Sequence, residues 1–170
     1  MLKNAVAAVM ILICGCDGSF IPYSDEWQEA SNERKQEAEF QKHQVALGGT
    51  VRSANLEISP SAVARDGDRI GITAVYKNIS LDQVVTSRVF VRDGRDESGN
   101  PIYRGDIPIP DGENYKNLSK QLNPGESTTA TFYVRPKVKT AKTATLRLIS
   151  GDSMDDSQRS KWLLRFDIPN

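Results

Sequence analysis

Apolar and polar residues alternate in short stretches from Thr50 to the end of the chain, and Gly, Pro, Asn and Asp separate these stretches. Alternation with a period of two puts one set of side chains on one face of a β-strand. It is clearest near the C-terminus, where apolar residues occupy every second position: Trp162, Leu164, Phe166 and Ile168. Similar stretches begin near residues 54, 70, 85, 130 and 144. Such strands, with no helical pattern between them, predict a mainly β fold, an antiparallel β-sandwich over residues 49–170.

A chain reversal is marked by Asn123-Pro124-Gly125-Glu126. Proline presets the φ angle of the second turn position, and glycine tolerates the positive φ that the third position of a type II turn requires. We therefore predict a type II turn at these four residues.

Residues 24–48 form a different kind of segment, without Gly or Pro before Gly48 and rich in Glu, Gln, Lys, Arg and Ala. Ser24 suits a helix N-cap, and Gly48-Gly49 supplies a stop signal. The pattern predicts one polar helix before the sandwich, with Trp27 and Phe40 as its main apolar contacts. Two arrangements remain open: the helix is a solvated spacer ~35 Å long, or it folds back over the sandwich as a cover.

The first 16 residues combine one basic residue, Lys3, with an apolar run over residues 5–13 and small residues around a cysteine. The run suits the core of a signal peptide and is shorter than the ~20 residues that a transmembrane helix needs. Ile13-Cys14-Gly15-Cys16 resembles the lipobox of bacterial lipoproteins, in which an aliphatic residue and two small residues precede the modified cysteine. The resemblance implies a signal peptide over residues 1–15 and a lipidated tether over residues 16–23. An uncleaved apolar anchor and an ordinary secretory signal are the alternatives.

In lipoproteins of this family the cysteine thiol carries diacylglycerol, and a further fatty acyl chain such as palmitate often joins the new amino terminus. The resemblance therefore implies that Cys16 anchors the protein to a membrane of the cell envelope without spanning it. Asp17 resembles the residue that keeps enteric lipoproteins at the inner membrane, where the protein would face the periplasm. Cys14 fits the modified position less well, because the bulky Ile13 would then stand directly before the cleavage point.

Charge and cysteine usage narrow the choice of partners. The 22 basic and 22 acidic residues cancel, and without a block of like charge no nucleic-acid partner is expected. Both cysteines lie in the N-terminal segment, so the predicted sandwich has no thiol for a disulfide or a soft metal ion.

Candidate chemistry is sparse in this sequence. His43 is the only histidine, and its place on the polar helix predicts a surface residue rather than the base of a catalytic triad. Residues 92–100 carry Asp93, Asp96 and Glu97, but the two arginines among them and their spacing argue against a calcium loop. We therefore expect no catalytic residues, no metal ion and no cofactor. The alternative is an envelope hydrolase that acts on peptidoglycan or glycan through two loop carboxylates.

Three stretches carry a second resemblance: residues 72–80, residues 89–93 with Gly99 and Tyr103 after them, and residues 122–126 leading into Phe132-Tyr133-Val134. Together they resemble the telokin-like immunoglobulin-fold domains of bacterial secreted lipoproteins, over roughly residues 50–168. The resemblance implies an immunoglobulin-like sandwich with an extracytoplasmic interaction role, and it brings no catalytic residues. Antibody domains carry two cysteines at a fixed spacing from a tryptophan, and residues 50–168 lack that pattern. The kinship with antibody domains is therefore one of architecture.

The segment from Tyr103 to Tyr115 is the strongest candidate for a contact surface. Pro108 and Pro110 alternate with isoleucines, and since proline lacks an amide donor the segment cannot be a central strand. It either seals one end of the sandwich or presents apolar and aromatic groups to a partner. The predicted partner-binding residues are Tyr103, Ile107, Ile109 and Tyr115. They indicate a non-catalytic protein-binding or accessory module of a bacterial envelope assembly.

Overall fold

The computed structural model describes residues 25–104, 117–150 and 159–169, and for residues 25–28 and 104 it describes the backbone alone. One helix, α1 (Asp25–Lys42), comes first in this part of the chain. The strands that follow it are β1 (Gln44–Ala46), β2 (Val51–Ser53), β3 (Leu56–Asp66), β4 (Arg69–Asn78), β5 (Val85–Thr86), β6 (Val89–Asp96), β7 (Ile102–Arg104), β8 (Gln121–Leu122), β9 (Ser127–Pro136), β10 (Thr143–Ser150) and β11 (Ser160–Asp167). The predicted mainly β fold with a preceding helix is confirmed.

The strands form two larger sheets and a small ribbon. The first sheet has the order β1-β11-β10-β6, the second has the order β2-β3-β4-β9-β7, and β5 pairs with β8. The pairing of β1 with β11 is parallel, whereas the other strand pairs are antiparallel. Consecutive strands pair as hairpins at β2-β3, β3-β4 and β10-β11, whereas the pairs β4-β9 and β6-β10 join strands that are distant in the chain.

The two larger sheets share one apolar core. Phe132 of β9 and Trp162 of β11 belong to different sheets, yet their ring centroids lie 6.4 Å apart in an edge-to-face arrangement. On β11 the alternating residues Trp162, Leu164 and Phe166 are buried, as their spacing predicted. Burial of each large side chain of this kind stabilises the fold by roughly 1.5–3 kcal/mol. The core thus depends on the period-two pattern of the sequence.

The helix ends earlier than its composition predicted. It was expected to run to Gly48, but it stops at Lys42, and Gln44–Ala46 form strand β1 beside β11. A three-residue strand carries too little alternation to be recognised in a sequence. It forms because pairing with β11 satisfies backbone groups that would otherwise need another partner. The predicted turn was correct: Gly125 has a φ of 80°, and Glu126 N donates to the Asn123 carbonyl oxygen at 2.9 Å.

Of the two arrangements left open for the helix, the structure has the one in which it covers the first sheet. Phe40 is fully buried, and the guanidinium of Arg92 lies 5.9 Å from the centre of its ring. Glu37 accepts two hydrogen bonds from Arg147 of β10, at 2.8 and 3.1 Å. These bonds hold the pKa of the Glu37 carboxyl below its ordinary value. The cover also explains why Leu163, which breaks the alternation of β11, is buried.

Two features of strand β6 differ from the sequence-based expectation. Residues 85–91 were read as one strand, but Ser87 interrupts it, because its backbone N–H donates to the Lys120 carbonyl oxygen. Asp93-Gly94 has the composition of a turn pair, but Gly94 lies inside β6. A Cβ atom there would stand 2.6 Å from Leu146 Cδ2 and 3.1 Å from Ile102. Glycine is therefore needed at this position for close packing rather than for a turn.

Candidate functional site

The domain has two ends, which differ in charge and in exposed apolar groups. We call one of them the lower end. It holds the turn at Ala54, the residues after Asn78 and the start of β11. The turns at Gly67 and Gly99 and the end of β11 lie at the other, which we call the upper end.

A buried asparagine organises the lower end. The Asn78 side chain is fully buried and donates to the carbonyl oxygens of Gln83 and Leu122, at 2.7 and 2.8 Å. Its own oxygen accepts a hydrogen bond from Ser80 N at 2.8 Å. The Ser80 hydroxyl adds a further bond to the Gln83 carbonyl oxygen at 2.7 Å. The chain between Asn78 and Gln83 is thereby fixed at several points.

This fixed loop, residues 79–84, presents apolar side chains to solvent. Leu81 is 96% exposed and Val84 is 55% exposed. Single exposed apolar residues are ordinary on protein surfaces, so this exposure does not by itself mark a contact site. Sequence analysis missed this loop. The signal present was a lone leucine between Ser80 and Asp82, which is common in ordinary turns as well.

A cleft lined mainly by polar side chains, several of them basic, lies beside the loop. Its volume is about 670 Å³, and it lies between α1 and the start of β11. The basic groups that line it are Lys35, Lys42, His43, Arg159 and Lys161. Glu39 is the acidic residue of the lining, and it lies 3.9 Å from His43. His43 was predicted to be a surface residue of the helix; it directly follows α1, and its side chain is 18% exposed.

At the upper end, Tyr103 is 54% exposed on the edge strand β7, opposite Arg135 of β9. It is the predicted partner-binding residue that the structure describes. Ile107, Ile109 and Tyr115 lie outside the described residues. The structure therefore places the first residue of the predicted contact segment in solvent, on the end of the domain opposite Leu81.

The carboxylates of residues 92–100 are used by the protein itself. Asp96 accepts hydrogen bonds from Ser98 N at 2.9 Å and from Asn100 N at 2.8 Å. Burial disfavours the charged form of Asp96, but hydrogen bonds from the Asn100 side chain and from backbone N–H groups outweigh it and lower its pKa. Glu97 accepts from Thr143 N and Lys142 N, and these bonds also lower its pKa.

Asp93 is in turn bound by Arg147 Nη1 at 2.9 Å. Within residues 25–104, 117–150 and 159–169, no three His, Cys, Asp or Glu side chains come together as a metal ion would need. The acidic groups considered for calcium therefore stabilise turns and pair with arginine in this structure.

The predicted lipid attachment site, Cys16, and the predicted sorting residue, Asp17, lie outside the described residues. In the part of the chain that is described, no helix is long and apolar enough to cross a membrane.

Comparison with known proteins gives one likeness to report. No protein-family profile matches the sequence, and no curated protein matches it. Among solved structures, the chain is similar to the yjhA protein from Bacillus subtilis, with 15% sequence identity and a TM-score of 0.49. The alignment covers 72% of this chain and 98% of that chain.

Proposed function

We propose that this protein is a lipid-anchored, non-catalytic protein-binding module of a bacterial envelope assembly. The observation that carries the binding role is Tyr103, a half-exposed tyrosine on a short edge strand at the head of an apolar, proline-containing segment. Interface energy tends to concentrate in a few aromatic anchors of this kind. The lipobox-like sequence around Cys16 carries the anchor, and Asp17 favours an inner-membrane location facing the periplasm.

The proposal includes an immunoglobulin-like β-sandwich. Constant-type immunoglobulin domains have strands A, B, E and D in one sheet and C, F and G in the other. The order β3-β4-β9-β7 matches the first of these, and the order β6-β10-β11 matches the second. The core between the two sheets includes the edge-to-face contact of Trp162 with Phe132. Such sandwiches commonly serve as rigid supports for binding loops.

Metabolic labelling with a fatty-acid analogue tests the anchor. Changing Cys16→Ser should abolish labelling and leave an unprocessed precursor, because the thiol is the acceptor. Cys14→Ser is the matched control, which should be labelled and processed as the natural chain is. Labelling that survives Cys16→Ser and disappears with Cys14→Ser would contradict the assignment.

Cross-linking in membranes tests the binding role. Tyr103→Ser should remove a specific cross-linked species while changing the melting temperature little, because substitutions of solvent-facing residues usually cost less than ~0.5 kcal/mol. Leu81→Ser, at the opposite end, is the control that should retain the same species. If both variants give the same cross-links as the natural chain, the contact surface does not include Tyr103. The triple change of Ile107, Ile109 and Tyr115 to Ser extends the test to the rest of the segment.

A further inference from the structure

Helix α1 contacts the first sheet along a narrow line. Of its side chains from residue 29 to residue 42, Phe40 alone is fully buried, and Gln36 and Glu37 are half-buried. Clefts of about 670 and 620 Å³ lie along the helix. The helix side chains that line one of them include Asn32, Lys35, Glu39 and Lys42, and those that line the other include Ala30, Glu33, Arg34 and Glu37. With 3.6 residues per turn, these two sets project to opposite flanks of a line through Gln36 and Phe40, so the helix is open to solvent on both flanks.

The polar contacts that hold α1 are partly exposed. Arg147 binds Glu37 of the helix at 2.8 and 3.1 Å and Asp93 of β6 at 2.9 Å. The side chains of Arg147 and Glu37 are 27% and 40% exposed, and ion pairs that water reaches contribute little to stability. The network is also incompletely satisfied, because Asp93 Oδ1 is buried without a hydrogen-bond partner among the described residues. These contacts therefore fix the position of the helix at a small gain in stability.

Helix α1 and strand β1 form one arm, residues 25–46, and a glycine pair joins this arm to the sandwich. Strand β1 adds three residues beside β11, and Val45 is its buried side chain. Gly48 and Gly49 follow, and Gly48 is exposed with a φ of 81°. Adjacent glycines let the backbone change direction with little steric hindrance, as a hinge requires. Within the described side chains, the arm is thus attached mainly through Phe40, Val45 and one short strand pairing.

We propose that the arm is a strap that opens as a unit at the glycine pair while the sandwich stays folded. In the closed form it covers Leu163 and the edge of β11, and in the open form it leaves both accessible. Burial of Phe40, Val45 and Leu163 keeps the closed form as the resting state. The cover and the spacer, which the sequence left as alternatives for the helix, are then two states of one element.

Opening lengthens the connection between the sandwich and the membrane. Helix α1 begins nine residues after Cys16, and an extended chain of that length spans at most ~30 Å. The 18 residues of α1 add about 27 Å once the helix leaves the sandwich. The sandwich, and Tyr103 with it, can then reach partners farther from the bilayer. The use of the arm as a spacer rests on the proposed anchor at Cys16, whereas the opening itself does not.

Hydrogen exchange of the full-length chain with Cys14 and Cys16 both changed to Ser tests the opening without lipidation. The decisive amide is that of Leu163, which donates to the His43 carbonyl oxygen of the arm at 3.0 Å. It should exchange at least about tenfold faster than the amides of β4 and β9, and its rate should depend less on denaturant. Equal rates with equal dependence on denaturant would mean that the arm and the sandwich unfold together, and would overturn the proposal.

A disulfide between the arm and β11 locks the strap in the same background. Ala46 and Arg165 are exposed and pair across β1 and β11, so Ala46→Cys with Arg165→Cys brings two thiols close together. Oxidation should slow exchange of the Leu163 amide, and reduction should restore it. The two single variants are the controls and should respond to neither treatment. Exchange that stays fast after the disulfide has formed would contradict the proposal.

Weakening the contact with Arg147 should favour the open form. Glu37→Gln is expected to speed exchange at Leu163 by about threefold to tenfold, as the loss of a partly exposed charged pair does. Glu33→Gln is the matched control, because Glu33 is an exposed acidic residue of the same helix, and it should leave the rate unchanged. Equal effects of the two variants would exclude the contact with Arg147 as a fastening of the strap.

Energy transfer to acceptor-labelled lipids tests the spacer in the lipidated protein. The donor dye is attached at Lys137→Cys, an exposed position of the upper end, and Phe40→Ser removes the buried contact of α1. We expect less transfer in Phe40→Ser than in the natural arm, with unchanged protection of the amides of β4 and β9. Unchanged transfer, or loss of that protection, would overturn the proposal. Absence of membrane attachment in every variant would instead contradict the anchor, and hydrogen exchange would still decide the opening.

Discussion

The two ends of the domain each hold a loop with one buried polar side chain, but the chemistry differs. At the lower end, the neutral amide of Asn78 binds Leu122, which is 44 residues away in the chain. At the upper end, the carboxylate of Asp96 binds Ser98 and Asn100, two and four residues away. The bond from Asn78 to Leu122 is therefore a tertiary contact that does not titrate. The turn at Asp96 is local and depends on a charge.

This difference bears on how each loop responds to acid. Asn78 fixes both the loop that carries Leu81 and the neighbouring strand β8 through the bonds of a neutral amide. The Asp96 carboxylate orders its own turn, and the Glu97 carboxylate accepts from the backbone N–H groups of Lys142 and Thr143. Acid should therefore weaken these contacts, and also the turn at Glu126, whose pKa is lowered by Lys120, while the bonds of Asn78 persist.

Among changes to polar contacts, the largest effect is expected from Asn78→Ala. It leaves the buried Leu122 carbonyl oxygen and the half-buried Ser80 N–H without their partner and removes one of the two donors to the Gln83 carbonyl oxygen, and losing the partner of a buried group typically costs about 1–3 kcal/mol. We expect the free energy of unfolding to fall by about 2–4 kcal/mol in chemical denaturation. Hydrogen exchange at Ser80 and Gln83 should become faster, because both amides belong to the loop that Asn78 fixes.

Asn55→Ala is the matched control for that variant. It removes one solvent-exposed hydrogen bond to the same loop, at Gln83, and leaves no buried group unpaired. Its cost should stay below about 1 kcal/mol. Equal losses of stability for Asn78→Ala and Asn55→Ala would mean that burial does not make the hydrogen bonds of Asn78 more important than the exposed one of Asn55. The lower end would then be stabilised mainly by the pairing of its strands.

A smaller effect, and one that depends on pH, is expected from Asp96→Asn at the upper end. The pKa of Asp96 is lowered in the folded protein, so its charge adds stability above the pKa of the unfolded chain, about 3.9. That contribution is lost as the pH falls through the lower, folded-state pKa. The melting temperature of Asp96→Asn should therefore lie below that of the natural chain at pH 7, and the gap should close in acid.

The Asn78→Ala deficit should remain constant over the same pH range, because an amide does not titrate. Comparing both variants with the natural chain at each pH removes the background from other carboxylates, including Glu97, whose pKa is also lowered. If the difference in melting temperature between Asp96→Asn and the natural chain widens in acid instead, the predicted direction of the pH dependence is wrong.

Local patterns predicted the parts of the fold that local forces determine. The alternation in β10 and β11 and the Pro124-Gly125 turn were read correctly, because period and turn chemistry act over a few residues. Strand β1 was missed because its three residues pair with a strand more than a hundred positions away. The need for glycine at position 94 could not be predicted, since its contact with Leu146 depends on the packing of β6 against its neighbours.

The candidate sites show the same limit. The edge position of the strand that carries Tyr103 could be anticipated, because Pro108 and Pro110 exclude a central strand for this segment, but the sequence left open whether its side chain is exposed. The basic cleft could not be anticipated, because Lys35 and Lys42 lie on α1 while Lys161 lies on β11. Only the folding of the helix back over the first sheet brings them together, and the sequence left that arrangement open.

The smallest effect is expected from Tyr76→Phe. This change tests whether a polar group buried near the lower end has a hydrogen-bond partner. Tyr76 lies on β4 two residues before Asn78 and is fully buried. Its hydroxyl has no hydrogen-bond partner among the residues that the structure describes, and burial raises the pKa of the phenol above its ordinary value. An unpaired buried hydroxyl costs free energy, so removing it should leave the stability unchanged or raise it by up to about 1 kcal/mol.

Tyr76→Ala is the control for packing and should cost about 3–5 kcal/mol. If Tyr76→Phe instead destabilises the domain by more than about 1 kcal/mol, the hydroxyl has a hydrogen-bond partner in the folded protein.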